Sequence, residues 1–117
     1  MKNVDSAQFS SEVLGSKEPV IVDFYTQDCP PCRALSPILQ EWESESAGKF
    51  KVMKVDAATE TALAASYGVR AVPAVFLFSN GKCIGQSIGL KSKAGMKKWY
   101  EDTLRSESQQ KETAPAS

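Results

Sequence analysis

Val20-Ile21-Val22-Asp23-Phe24-Tyr25-Thr26-Gln27-Asp28-Cys29-Pro30-Pro31-Cys32-Arg33-Ala34-Leu35-Ser36-Pro37-Ile38-Leu39-Gln40 reads as a buried strand running into a helix, with two thiols at the junction. Pro19 to Tyr25 is a continuous apolar run broken only by Asp23, the pattern of a strand covered on both faces. From about Pro30 to Ser46, Leu35, Ile38, Leu39 and Trp42 recur at helical spacing, and Pro37 should kink that helix by removing one N–H from its ladder. Cys29 and Cys32 therefore open a helix at the end of a strand, where one turn can close a small disulfide ring. A helix N-terminus has unpaired N–H groups and a partial positive charge, which favour thiolate over thiol. The thiolate is the form that attacks a disulfide, so the placement points to dithiol redox chemistry.

The remaining elements alternate. Ser6 to Leu14 reads as a first helix with Asp5 or Ser6 as N-cap and Gly15 as its stop. Phe50 to Asp56 is a second buried strand and Thr59 to Tyr67 a shorter helix ended by Gly68. Ala74 to Phe78 and Lys82 to Ser87 form an antiparallel hairpin around Asn80-Gly81. A last helix, roughly Lys91 to Leu104, carries Met96, Trp99, Tyr100 and Leu104 on one stripe, with Lys91, Lys93, Lys97 and Lys98 as its solvated face. Trp42 and Trp99 read as core. Strand, helix, strand implies a right-handed parallel crossover, so the expected fold is α/β: a mixed central sheet with helices on both faces. One domain over residues 1–105 is expected, followed by a polar, disordered tail over 106–117.

Composition restricts the function. The 117 residues are 42% hydrophobic, enough for one core, and 14 Lys+Arg balance 14 Asp+Glu. With no basic field, neither nucleic acid nor an anionic membrane is an expected partner. Met1-Lys2-Asn3-Val4-Asp5 lacks the apolar stretch of a signal peptide and no run has the length of a membrane span, so a cytoplasmic protein is expected. Three cysteines are too few for a disulfide framework, and an odd count fits a reducing compartment in which one pair cycles. With no His and only Cys83 besides the pair, one chain cannot assemble four zinc ligands. Cys83 reads as a small buried hydrophobe.

Along about 100 residues the chain resembles the thioredoxin family. Val22-Asp23-Phe24-Tyr25 is similar to the strand holding that family's buried Asp, Cys29-Pro30-Pro31-Cys32 to its Cys-Gly-Pro-Cys, and Pro37 to its helix-kinking proline. Tyr67-Gly68-Val69-Arg70-Ala71-Val72-Pro73 resembles the segment leading to its cis-proline; Asn80-Gly81 and Ile88-Gly89 resemble its hairpin turn and the glycine beside its active site. Agreement of several features in chain order is more specific than a lone C-x-x-C. The resemblance implies a thioredoxin fold and a disulfide reductase acting as a monomer without bound cofactor, supplied with electrons by a thioredoxin reductase-type donor and acting on disulfide-containing proteins. Cys29 would be the nucleophile and Cys32 the resolving thiol. Asp23 would relay a proton at Cys32, a task for which a buried carboxyl is suited. Pro73, cis after Val72, would face the thiols, and Val72, Pro73, Ile88, Gly89 and Leu90 would form the partner-docking patch.

The chain also departs from that pattern. Pro30 replaces a glycine, which the first turn of a helix tolerates; with Pro31 it stiffens the reduced loop and should change the redox potential. Asp28 replaces a tryptophan, placing a carboxylate near the Cys29 sulfur that disfavours the thiolate and repels acidic partners. A narrower partner set is expected. Val52 occupies the position of the lysine that pairs with the family's buried Asp, and Lys54, on the same face of the strand, is a candidate substitute. The rival readings are a thiol oxidase or isomerase, and a binding module of the same fold in which turnover is incidental.

Overall fold

The computed structural model describes the backbone of residues 1–113 and the side chains of residues 1–107. In chain order the elements are β1 (Lys2–Asn3), α1 (Ser6–Phe9, continued by a π-helical turn over Ser10–Leu14), β2 (Val20–Tyr25), α2 (Pro30–Glu45), β3 (Lys51–Asp56), α3 (Thr61–Ser66), β4 (Ala74–Ser79), β5 (Lys82–Ile88) and α4 (Lys93–Thr113). The strands form one sheet in the order β1-β3-β2-β4-β5. β1, β3 and β2 run parallel, while β4 is antiparallel to both β2 and β5. The mixed sheet is the expected one; β1 is new. Two exposed residues leave no period to read, and β1 is detectable only through its pairing, which Val4 extends by donating its N–H to the Lys54 carbonyl at 2.9 Å.

Alternation along β2 decides the two cores. Val20, Val22 and Phe24 face α1 and α3, and Phe9, Phe24, Phe76 and Phe78 stack edge-on or tilted around Tyr67. Ile21 and Asp23 alternate onto the other face, which α2 and α4 cover with Leu35, Leu39, Trp42 and Met96 over Val52, Val75 and Leu77. Asp23 is the one charged residue type in a fully buried stretch of β2, since Val20–Phe24 have no exposed surface.

Caps account for the element ends. Asp5 accepts from the Gln8 N–H while Gln8 accepts from the Asp5 N–H, a reciprocal capping box. The Asp56 side chain accepts from the Ala58 N–H and its carbonyl from Glu60, so a turn occupies 56–60 and α3 begins at Thr61, two residues later than periodicity suggests. Ser92 accepts from the Gly95 N–H and starts α4 at Lys93. At the hairpin, Asn80 and Gly81 both have positive φ, 53° and 77°, as a tight two-residue turn demands.

α4 continues past Leu104 to Thr113, so the stretch from 106 to 113, expected to be disordered, is helical. No glycine or proline interrupts it before Pro115, and helix propensity carries the backbone on through this polar sequence. The rest of the expected tail, residues 114–117, lies outside the described residues. The lysines of α4 are also not merely solvated: Lys93 donates to Glu41 and Glu45 of α2 at 2.9 and 2.7 Å, and Lys97 pairs with Glu45 at 3.5 Å, clamping α4 across α2.

Candidate active site

The junction of β2 and α2 positions both sulfurs. Cys29 is the N-cap of α2 in extended conformation (φ −134°, ψ 96°), and its Sγ accepts from the Cys32 N–H at 3.2 Å. Its carbonyl accepts the Arg33 N–H at 3.0 Å, closing the first turn. Pro30 and Pro31 occupy the two positions whose N–H groups have no intrahelical use, so the double proline fits the helix without loss of a bond. Cys29 and Cys32 are joined in a disulfide with Cα atoms 5.2 Å apart, and both are buried. On reduction, the N–H that now points at Cys29 Sγ would point at a thiolate, as an N-terminal helix site favours.

A second segment comes up against the disulfide from the sheet. The Val72–Pro73 peptide is cis, and the Val72 carbonyl oxygen lies 3.8 Å from Cys29 Sγ. The Pro73 carbonyl accepts the Gly89 N–H at 2.9 Å, tying the end of β5 to this loop; Gly89 takes φ 93°, which glycine adopts without strain. That tie presents Ile88 and Leu90, 49% and 50% exposed, on either side of Gly89. Asp28 is exposed immediately before Cys29, and Gln27 is held on both sides: its carbonyl accepts from Arg33 at 3.0 Å, and its amide donates to Asp56 at 3.3 Å.

Asp23 lies on the face of β2 that α2 covers, with 0% exposure, and neither carboxyl oxygen has a hydrogen-bond partner among the described residues. Its neighbours in register are Lys54 of β3 and Val75 of β4. Burial pushes its pKa up to about 6, and the charge of Lys54 acts in the opposite direction. A carboxyl so placed changes protonation near neutral pH, the range a proton relay needs. A cleft is lined by Tyr25, Cys32, Arg33, Ser36, Gln40 and Lys54, so Cys32 and the register partner of Asp23 border the same space.

The fold thus brings Cys29, Cys32, Val72 and Pro73 into one place, with Ile88, Gly89 and Leu90 attached through the Gly89–Pro73 hydrogen bond. Cys83 is not among them. It pairs with Phe78 at the far end of the hairpin, packs against the α1/α3 core, and donates its thiol to the Gly85 carbonyl at 3.8 Å; burial pushes that thiol's pKa up. The feature not anticipated is Tyr25, whose ring carries the Lys54 ammonium 4.4 Å from its centroid. Parity along β2 and β3 already puts Tyr25, Asp23 and Lys54 on one face, and that was the available signal. Among the described residues, no helix is long and apolar enough to cross a membrane, and no group of three or more His, Cys, Asp or Glu is placed to hold a metal ion.

Comparison with known proteins agrees with this geometry. The family model described as Thioredoxin matches residues 1–102. The thioredoxin of Rickettsia typhi is 38% identical over 104 residues, covering 89% of this chain and 99% of that protein. The thioredoxin of Rickettsia felis is 37% identical over 102 residues (87% and 97%), and thioredoxin C-2 of Corynebacterium nephridii 32% over 102 residues (87% and 94%).

Proposed function

The chain belongs to the thioredoxin family and is a thiol–disulfide oxidoreductase of the disulfide-reductase class, and on that premise we propose that it reduces a restricted set of partner proteins, through Cys29 as nucleophile and Cys32 as resolving thiol. In the reduced protein the Cys29 thiolate attacks one sulfur of a substrate disulfide; that S–S bond breaks, a mixed disulfide forms, and the substrate's other sulfur leaves as a thiolate and takes a proton. Cys32 then gives up its proton and attacks Cys29 Sγ. The mixed disulfide breaks, the second substrate sulfur leaves and is protonated, and the Cys29–Cys32 disulfide remains. Two electrons have passed to the substrate.

The observation that carries this assignment of roles is the asymmetry of the two sulfurs. Cys29 accepts the Cys32 N–H and sits 3.8 Å from the Val72 carbonyl, on the side of the exposed Ile88 and Leu90; Cys32 instead borders the cleft that Lys54 lines. An extended substrate segment laid along Val72 would meet Cys29 first. Asp23 is then the group that takes the Cys32 proton, since its carboxyl is buried, raised to about 6 and has no competing hydrogen bond among the described residues. Asp28, in place of an apolar side chain beside Cys29, selects against acidic partner surfaces.

A single chain supplies every group in this scheme. In this reading it works as a monomer with no bound cofactor, drawing electrons from a thioredoxin reductase-type donor in a reducing compartment such as the cytoplasm. Turnover of a model disulfide protein, with dithiothreitol or such a reductase as the electron source, tests the reading. Catalysis that requires both Cys29 and Cys32 supports it. Tight partner binding that survives Cys29→Ser/Cys32→Ser, without turnover by the parent, would assign the protein to the binding-module class instead.

A further inference from the structure

Trp42 of α2, Phe50 just ahead of β3 and Tyr100 of α4 come from three separate segments and meet at the C-terminal end of α2. Their rings pack as one cluster, with centroids 4.6 Å apart for Trp42–Phe50, 5.0 Å for Phe50–Tyr100 and 5.5 Å for Trp42–Tyr100. All three line a cavity of about 270 Å³ that Glu45, Lys49, Lys97 and Glu101 also border. Glu45 lies about 20 Å of helix axis from Cys32, so this space is remote from the disulfide.

Ring packing accounts for the aromatic atoms and leaves the polar ones around them unused. Trp42 is 4% exposed, yet its indole N–H has no acceptor among the described residues and is not sealed from solvent, so it opens on the cavity that Trp42 lines. The other indole N–H, that of Trp99, donates to the Gln86 carbonyl. The Tyr100 hydroxyl also has no partner among the described residues, and burial raises its pKa, so it stays a neutral donor at neutral pH. Glu45 is occupied by Lys93 and Lys97 at 2.7 and 3.5 Å, whereas Lys49 and Glu101 have no ion-pair partner among the described residues. The turn that presents Lys49 is fixed by its backbone: Ala47 and Gly48 have φ of 53° and 83°, and the Lys49 N–H donates to the Ser46 carbonyl at 3.2 Å.

We propose that this cavity binds a small zwitterion with an aromatic body, a free aromatic α-amino acid being the simplest: ring against Trp42, Phe50 and Tyr100, carboxylate toward Lys49 and the two neutral donors, ammonium toward Glu101. The site stands apart from the redox reading and does not depend on it. A monoanion would pair with Lys49 but leave Glu101 repelling it; a monocation would pair with Glu101 but leave Lys49 repelling it and two donors unused. Glu45 and Glu101 balance Lys49 and Lys97, so the cavity has no net charge to favour either ion alone. Its volume of about 270 Å³ falls just short of the roughly 300–1,000 Å³ of sites for drug-sized ligands, which suits a molecule of amino-acid size.

The test is a titration of the oxidised, full-length protein with L-phenylalanine, followed by NMR at the two indole N–H signals. The Trp42 signal should move and saturate at ligand concentrations on the order of millimolar, as befits so small a molecule, while the Trp99 signal, held by Gln86, stays in place. Lys49→Gln and Glu101→Gln change exposed residues and should each weaken binding about two- to fivefold, with disulfide turnover unchanged. Tyr100→Phe, which keeps the ring and deletes the hydroxyl, should weaken it by a similar factor. 3-Phenylpropionate, phenethylamine and N-acetylphenylalaninamide carry the ring with one charge or none, and each should bind at least about threefold more weakly than L-phenylalanine. No saturable movement of the Trp42 signal by about 20 mM L-phenylalanine would overturn the proposal. Equal binding of any of the three analogues, or binding untouched by both Lys49→Gln and Glu101→Gln, would overturn it as well.

Discussion

The Cys32 backbone N–H donates to Cys29 Sγ at 3.2 Å, so in the proposed mechanism the residue that resolves the mixed disulfide also supplies the hydrogen bond that steadies the nucleophile. The bond exists because Cys29 is the N-cap of α2, with extended dihedrals, and Pro30 and Pro31 leave Cys32 as the first residue of the helix able to donate. Substituting Cys32 by serine keeps this backbone donor.

The roles of the two cysteines should therefore separate cleanly. Cys32→Ser should still attack substrate disulfides and accumulate a covalent partner adduct, whereas Cys29→Ser should form none and lose turnover to the uncatalysed background. Non-reducing gel shift and mass spectrometry of the adduct read this. Equal trapping by both variants would contradict the assignment.

Asp23 links redox chemistry to stability. It holds its proton more tightly folded than unfolded, so its favourable contribution is full below about pH 4 and is lost as pH rises through about 6. In the oxidised protein, Asp23→Asn should remove that slope: its stability relative to the parent should improve by about 3 kcal/mol between pH 4 and pH 8, a shift of roughly two pH units at 1.4 kcal/mol each. Denaturant titrations at the two pH values measure it. Turnover near neutral pH should fall in the same variant, because the proposed proton acceptor for Cys32 is gone.

Much of this site is legible in the sequence alone. The buried run Val20–Phe24 made Asp23 conspicuous, and Cys-Pro-Pro-Cys at a strand-to-helix junction located the sulfurs. Short, pairing-dependent features were not legible. β1 has two residues and no period, the start of α3 depends on the Asp56 turn, and α4 runs through a polar stretch of sequence that lacks a breaker. The ion pairs of Lys93 with Glu41 and Glu45 join residues far apart in sequence, so a stripe of lysines looked solvated. The Lys54–Tyr25 contact needed both strand parity and side-chain reach, of which the sequence shows only the first.

Asp28 should act on rate and partner choice, not on folding, because it is exposed. Asp28→Trp should move the pH profile of Cys29 alkylation in the reduced protein to lower pH and broaden the range of disulfide substrates, acidic ones most, and Asp28→Asn should produce the electrostatic part alone. Identical profiles and rates in all three proteins would remove Asp28 from the account.

Away from the site, Gly85 allows α4 to sit against β5. A Cβ there would lie 2.6 Å from Thr103 Cγ2, on the helix that Trp99 also fastens by donating Nε1–H to the Gln86 carbonyl at 3.1 Å. Gly85→Ala should destabilise by about 1–3 kcal/mol through overpacking. Thr103→Ser, which deletes the clashing methyl and keeps the hydroxyl that bonds the Trp99 carbonyl, should recover most of it. Thermal denaturation of the single and double variants checks the coupling.

The central claim is that this Cys-Pro-Pro-Cys couple runs as a reductant, and the reduction potential of Cys29–Cys32, measured by equilibration with a defined thiol buffer, tests it most directly. The account predicts a value more negative than about −240 mV, the region of a cytosolic glutathione pool, so that electrons flow outward to substrates. A value at or above about −180 mV, where disulfide donors and isomerases lie, would contradict it and show that Pro30 and Asp28 have turned the scaffold to oxidation.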